Sequence, residues 1–85
     1  MQLNEGARNR LWHVATACRT IQGSTREKDL KDCLASPILR AAVERQFIVI
    51  GEALRQAVDF DSAIDVHVTD VPSIVGFRNF LVHNY

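Results

Sequence analysis

Apolar residues along this chain recur at steps of three and four, the period of a helix lying on a core. The first stripe, Leu3, Ala7, Leu11, Val14, Cys18 and Ile21, predicts a helix over residues 4–22 with Gly23 as its stop signal. Trp12 falls off that stripe and either widens the buried face or marks a second contact surface. His13 beside it reads as a solvated or core residue. Ser24-Thr25-Arg26-Glu27 has the form of a capping box and predicts a short helix through Leu30, Cys33 and Leu34. Ser36-Pro37 reads as an N-cap followed by proline at the first helical position, where its missing N–H costs nothing. The third helix then runs from Pro37 to about Asp59 on the stripe Leu39, Val43, Phe47, Ile50, Leu54 and Ala57, broadened by Ile48, Val58, Ala42 and Ala53. Arg40, Glu44, Arg45, Glu52, Arg55 and Gln56 fall mainly on its other faces. Gly51 inside this helix costs about 1 kcal/mol relative to alanine, so close approach of another helix is the expected compensation. Ile64, Val66 and Val68 alternate with Asp65 and His67 as in a strand, but a lone strand has nothing to pair with. Residues 61–69 therefore read as a loop with a turn of helix. Asp70 caps, and Val71-Pro72 opens a final helix. The pattern predicts an all-α fold, a small bundle of about four helices forming a single domain over residues 1–85.

Length and charge add two constraints. A core built from 85 residues is marginal alone, so burial against a partner or oligomerisation is expected. Ten basic residues balance ten acidic ones, which argues against holding nucleic acid by bulk electrostatics. Eight of the ten basic residues are arginine, which favours specific bidentate contacts. The N-terminus has no signal-peptide apolar run, and no stretch approaches membrane-spanning length. Cys18 and Cys33 occupy apolar-face positions and read as buried, reduced thiols. Together these features predict a cytoplasmic protein without a membrane partner.

Candidate chemistry is confined to the last fifteen residues, VPSIVGFRNFLVHNY. No Gly-rich phosphate loop, zinc-ligand spacing or Gly-x-Ser-x-Gly elbow occurs, and His13, His67 and His83 are too scattered for a metal site. Beyond Arg55 the sole Lys or Arg is Arg78, while Asp59, Asp61, Asp65 and Asp70 are acidic. On one continuous helix Arg78 and His83 project about 140° apart and lie about 7.5 Å apart along the axis. One straight helix does not bring both to the same atom. Either the helix breaks near His83, or two copies of the chain meet so that pairs of Arg78 and His83 line one cleft. A plainer arrangement is also open: Arg78 bonds an acid such as Glu52 or Asp70, and His83 is a satisfied core histidine. Asn79 and His83, four residues apart, share a face, so Asn79 is placed to orient the imidazole.

The segment R-N-F-L-V-H-N-Y resembles the Arg-x4-His-x-Tyr signature of the HEPN superfamily, specifically its HepT-like branch. Ile50-Gly51-Glu52-Ala53 resembles the Gly-Glu-Ala stretch of that branch's long helix. Pro72 precedes the motif, and Phe77-Arg78-Asn79 resembles the family's entry to it. The likeness runs from about residue 8 to residue 85. It implies an all-α homodimer acting as a metal-independent endoribonuclease with no cofactor, the toxin of a type II or type VII toxin–antitoxin system. In that scheme His83 is the general base on a ribose 2′-hydroxyl, Arg78 holds the scissile phosphate, and Asn79 supports them. The products are a 2′,3′-cyclic phosphate and a free 5′-hydroxyl on RNA. The resemblance also implies a minimal nucleotidyltransferase antitoxin as partner, which adenylylates Tyr85. Family chains usually continue past this tyrosine into a further helix, so the likeness implies C-terminal truncation here. The alternative role is a non-catalytic HEPN interaction module that binds such a nucleotidyltransferase.

Overall fold

The computed structural model describes residues 4–68 and 70–84, which form five helical segments in the order α1 (Glu5–Ser24), α2 (Leu30–Ala35), α3 (Pro37–Phe60), α4 (Ile64–His67) and α5 (Val71–Asn84). The all-α bundle is as the apolar period predicts. Helix α3 is its axis, with α1 packed along one side and α5 along another, while α2 and α4 are short connectors. Among the described residues, no helix is long and apolar enough to cross a membrane.

Local chemistry explains most boundaries. Asn4 caps α1, its side-chain oxygen accepting from Ala7 N at 2.8 Å. Ser36 caps α3 by accepting from Leu39 N at 3.1 Å, with Pro37 in the first turn. The expected capping box over residues 24–27 is displaced. Helix α1 continues through Gly23, and the hydroxyls of Ser24 and Thr25 donate back to the carbonyls of Thr20 and Ile21. Those hydroxyls finish the first helix, and the box forms instead between Asp29 and Asp32, each side chain accepting from the other's backbone N–H. Between Asp61 and α5 the chain makes a turn and the single-turn α4, which plugs the core with the fully buried Ile64. Asp70 takes up φ 64°, a left-handed conformation that Asp tolerates better than most residues, and its carbonyl accepts the amide of Ile74 as α5 begins.

The core is thin. Among the described residues the buried apolar ones are Ala7, Ala17, Ile50, Ala53, Leu54, Ala57, Ile64 and Val71, four of them alanine. Small side chains let α1 and α3 lie close, and part-buried Leu11, Val14, Ile21, Phe47, Val58 and Ile74 fill the margins. The α1 stripe passes through Ala17 where Cys18 was expected. Both lie within a fraction of a turn of the stripe, and the smaller residue takes the contact. Cys18 is exposed and Cys33 half-buried, so neither is the buried thiol that the pattern suggested; both are free. Trp12 stays off the core at 59% exposure.

Candidate functional site

The site is built where α5 crosses α3. A β-carbon on Gly51 would collide with the Arg78 Cβ, sit 2.8 Å from its Cγ and approach the Ile74 carbonyl to 3.3 Å. The glycine therefore marks the close approach that its helix-propensity cost predicts, and the residue filling the space is Arg78. One turn of chemistry follows directly along α3. Glu52, adjacent to the glycine, pairs with the Arg78 guanidinium at 2.9 Å. Of the open arrangements, Arg78 thus takes the acid partner, and the acid is Glu52. Asn79 accepts from a second guanidinium nitrogen of Arg78 at 2.7 Å. The Nε of Arg78 is buried and has no hydrogen-bond partner among the described residues.

Glu52 is itself tied down. It accepts from Arg55 at 2.7 Å and from Gln56 at 2.9 Å, and Arg55 also reaches Asp59 at 3.1 Å. These hydrogen bonds, Arg55's first and then Gln56's, hold its carboxyl at about 2, below the ordinary 4.5. The carboxylate remains charged through the neutral range and fixes the direction of the Arg78 side chain. The chain of contacts continues into α1, where Gln56 accepts from Arg10 Nε at 2.6 Å and the Arg10 guanidinium lies over the Phe60 ring, 5.2 Å from its centre.

His83 is treated differently. Helix α5 is continuous to Asn84, so the chain does not break near His83, and His83 is exposed, not a satisfied core histidine. Helical geometry keeps it about 140° from Arg78. Around it the helix exposes apolar surface: Phe77 is 45% exposed, Phe80 54% and Val82 41%. Phe77 meets Phe47 edge-on at 5.6 Å and stacks with Phe80 at 6.4 Å. Tyr85 lies outside the described residues. Among the described residues, no group of three or more His, Cys, Asp or Glu has a metal-binding arrangement.

Arg10, His13, Arg45 and Gln56, to which the sequence pattern gave no role, gather with Arg78. A groove of about 550 Å³ between α1, α3 and α5 is lined by Arg10, His13, Arg45, Glu52, Gln56 and Arg78 above an apolar floor from α3. His83 is not among its lining residues. A signal was present: Arg45, Glu52 and Gln56 recur at seven and four residues along one face of α3, and Arg10 and His13 are three apart on α1. That these two polar faces look at each other follows from packing alone.

The family model described as ribonuclease HepT-like matches residues 14–85, which include the Gly51–Glu52 seat and the whole Arg-x4-His motif. The chain belongs to the HepT-like ribonuclease family. Arg10 and His13 precede the matched segment. No curated protein and no solved structure matches the chain.

Proposed function

We propose that this HepT-like chain is a metal-independent endoribonuclease toxin that cleaves RNA as a homodimer, using Arg78 and His83 from both copies at a shared cleft. The observation that carries the reading is the pairing of a guanidinium locked by Glu52 and Asn79 with an exposed His83 on the same unbroken helix. One chain holds the phosphate-binding group rigidly and offers the proton acceptor outward, so a second copy completes the set. The exposed Phe77, Phe80 and Val82 beside the motif, together with the thin core, supply apolar surface for such a contact.

The chemistry is transesterification. His83 takes the proton of a ribose 2′-hydroxyl, the 2′-oxygen attacks the adjacent phosphorus, and the bond to the 5′-oxygen breaks. The second copy's His83, protonated, supplies the proton to that leaving oxygen. Charge accumulates on the non-bridging oxygens, where the remaining N–H donors of Arg78 stabilise it. A 2′,3′-cyclic phosphate and a 5′-hydroxyl result. Without a 2′-hydroxyl the attack has no nucleophile, so DNA is not a substrate. In this reading the protein acts in the cytoplasm and is restrained by a minimal nucleotidyltransferase antitoxin. Transfer of an adenylyl group from ATP to the Tyr85 phenol oxygen, with pyrophosphate leaving, would add a bulky anion two residues along the chain from His83.

Purified chain incubated with RNA, beside Arg78→Ala and His83→Ala, tests the proposal. Cleavage by the parent and loss in both variants is the expected result. Equal cleavage by all three, or none by the parent, would sink the catalytic claim. Absent cleavage with a nucleotidyltransferase partner still captured by both variants would assign the interaction-module role.

A further inference from the structure

We infer that the groove between α1, α3 and α5 is a track for single-stranded RNA, in which Arg45 and His13 hold phosphates flanking the one held by Arg78. The inference rests on the reading of this chain as an RNA-acting protein and extends the site to residues outside the Arg-x4-His motif. Although the whole chain is neutral, the groove is not: three arginines line it against one carboxylate. That carboxylate, Glu52, is already compensated by Arg55 and Arg78. The surplus positive charge is spread along the groove. Arg45 and Gln56 are eleven residues apart on α3, a distance of about 16 Å, with Glu52 and its partner Arg78 between them. A single small anion would be met by a point cluster, whereas a row of donors suits a polyanionic strand.

The members of the row have different freedom. Arg10 is engaged with Gln56 and Phe60 and contributes field more than contact. Arg78 spends two nitrogens on Glu52 and Asn79, which leaves N–H bonds on those same nitrogens for a phosphate. Arg45 is exposed and makes no ion pair among the described residues, so its full fork of donors is available for bidentate contact. Trp12, 59% exposed, stands edge-on to His13 with ring centres 5.2 Å apart. A cationic groove with an exposed aromatic ring beside one of its lining residues is a combination that binds single strands, the ring stacking on a base while arginines follow the backbone.

The test uses the full chain carrying His83→Ala, so that RNA stays intact, titrated with a short single-stranded RNA over a range of salt concentrations. Fluorescence of Trp12, the chain's one tryptophan, reports binding. Adding Arg45→Gln is expected to weaken binding several-fold and to lower the slope of log K against log salt by about 0.7, one phosphate contact's worth on a single strand. Arg26→Gln, an equal charge loss at an exposed residue outside the groove, should leave affinity and slope near the starting values. Quenching of Trp12 should accompany binding. An unchanged slope in Arg45→Gln overturns the track, as does polyphosphate binding as tightly as RNA with the same dependence on Arg45. Cleavage by the parent chain is measured alongside. If RNA is cut and Arg45→Gln binds normally, the track falls and the nuclease reading stands. If binding depends on Arg45 and nothing is cut, the reverse holds; no binding overturns the track, and no binding with no cleavage removes both.

Discussion

In its middle, α5 lies against α3 so closely that Gly51 has no room for a β-carbon, whereas its last turn carries His83 into solvent. The two residues of the Arg-x4-His motif stand five positions apart, yet one is clamped by Glu52, Asn79 and the glycine seat and the other faces outward. The contrast separates two jobs that a short motif conflates. Arg78 is held by the fold, whereas His83, among the described residues, makes no contact that the fold depends on. Under the proposed function, removing His83 therefore isolates function and removing Arg78 does not.

Four measurements would break or sharpen this contrast. The largest expected effect is functional. His83→Ala should lower RNA cleavage about 10²–10⁴-fold, the usual contribution of a general base, while stability stays within about 0.5 kcal/mol. A large fall in melting temperature would show that His83 is structural after all. Next comes Gly51→Leu, which must push α5 away from α3 against the Arg78 stem and the Ile74 backbone. Helix propensity favours the change by about 1 kcal/mol, but overpacking a backbone crossing costs more. A net loss of about 3 kcal/mol is expected, seen as a melting temperature lowered by more than about 10 °C. No loss would mean that the crossing is looser than it looks.

Smaller effects probe the clamp. Glu52→Gln removes the charge opposite Arg78 and should cost about 1 kcal/mol, since both partners are partly exposed. Urea denaturation of the two proteins measures it. The pH dependence refines the same point. The carboxyl of Glu52 sits at about 2 in the folded chain against an ordinary 4.5, so unfolding releases a stronger base and takes up a proton below 4.5. Its contribution is present above pH 4.5 and declines as pH falls towards 2. The parent should therefore lose stability over that window more steeply than Glu52→Gln, and identical slopes would show that the pair contributes nothing.

Much of this was legible in the chain itself. Periodicity placed α1 and α3, Ser36-Pro37 and Val71-Pro72 placed the starts of α3 and α5, and the misfit of a glycine inside a long helix announced a close crossing. The displaced capping box was not legible, because Ser and Thr hydroxyls serve equally well to finish one helix or to start the next. The burial of Cys18 was misjudged because positions 17 and 18 lie almost equally near the stripe, and only the packed partner distinguishes them. Lone polar residues were the hardest to weigh. Arg45 and Gln56 fall off the apolar stripe of α3, and His13 reads as a solvated or core residue; only the packing of α1 and α5 closes a groove around them.

The sequence by itself determined the helices, the motif and the existence of a tight contact at Gly51, because those depend on interactions between residues three and four apart or on the cost of one residue type. Tertiary structure decided that the contact is with Arg78, that its acid is Glu52 and not Asp70, and that arginines from three helices share one groove with His13. Those outcomes depend on the rotation of each helix about its axis, which is set by how alanine, glycine and larger side chains interlock, and no local pattern encodes that angle.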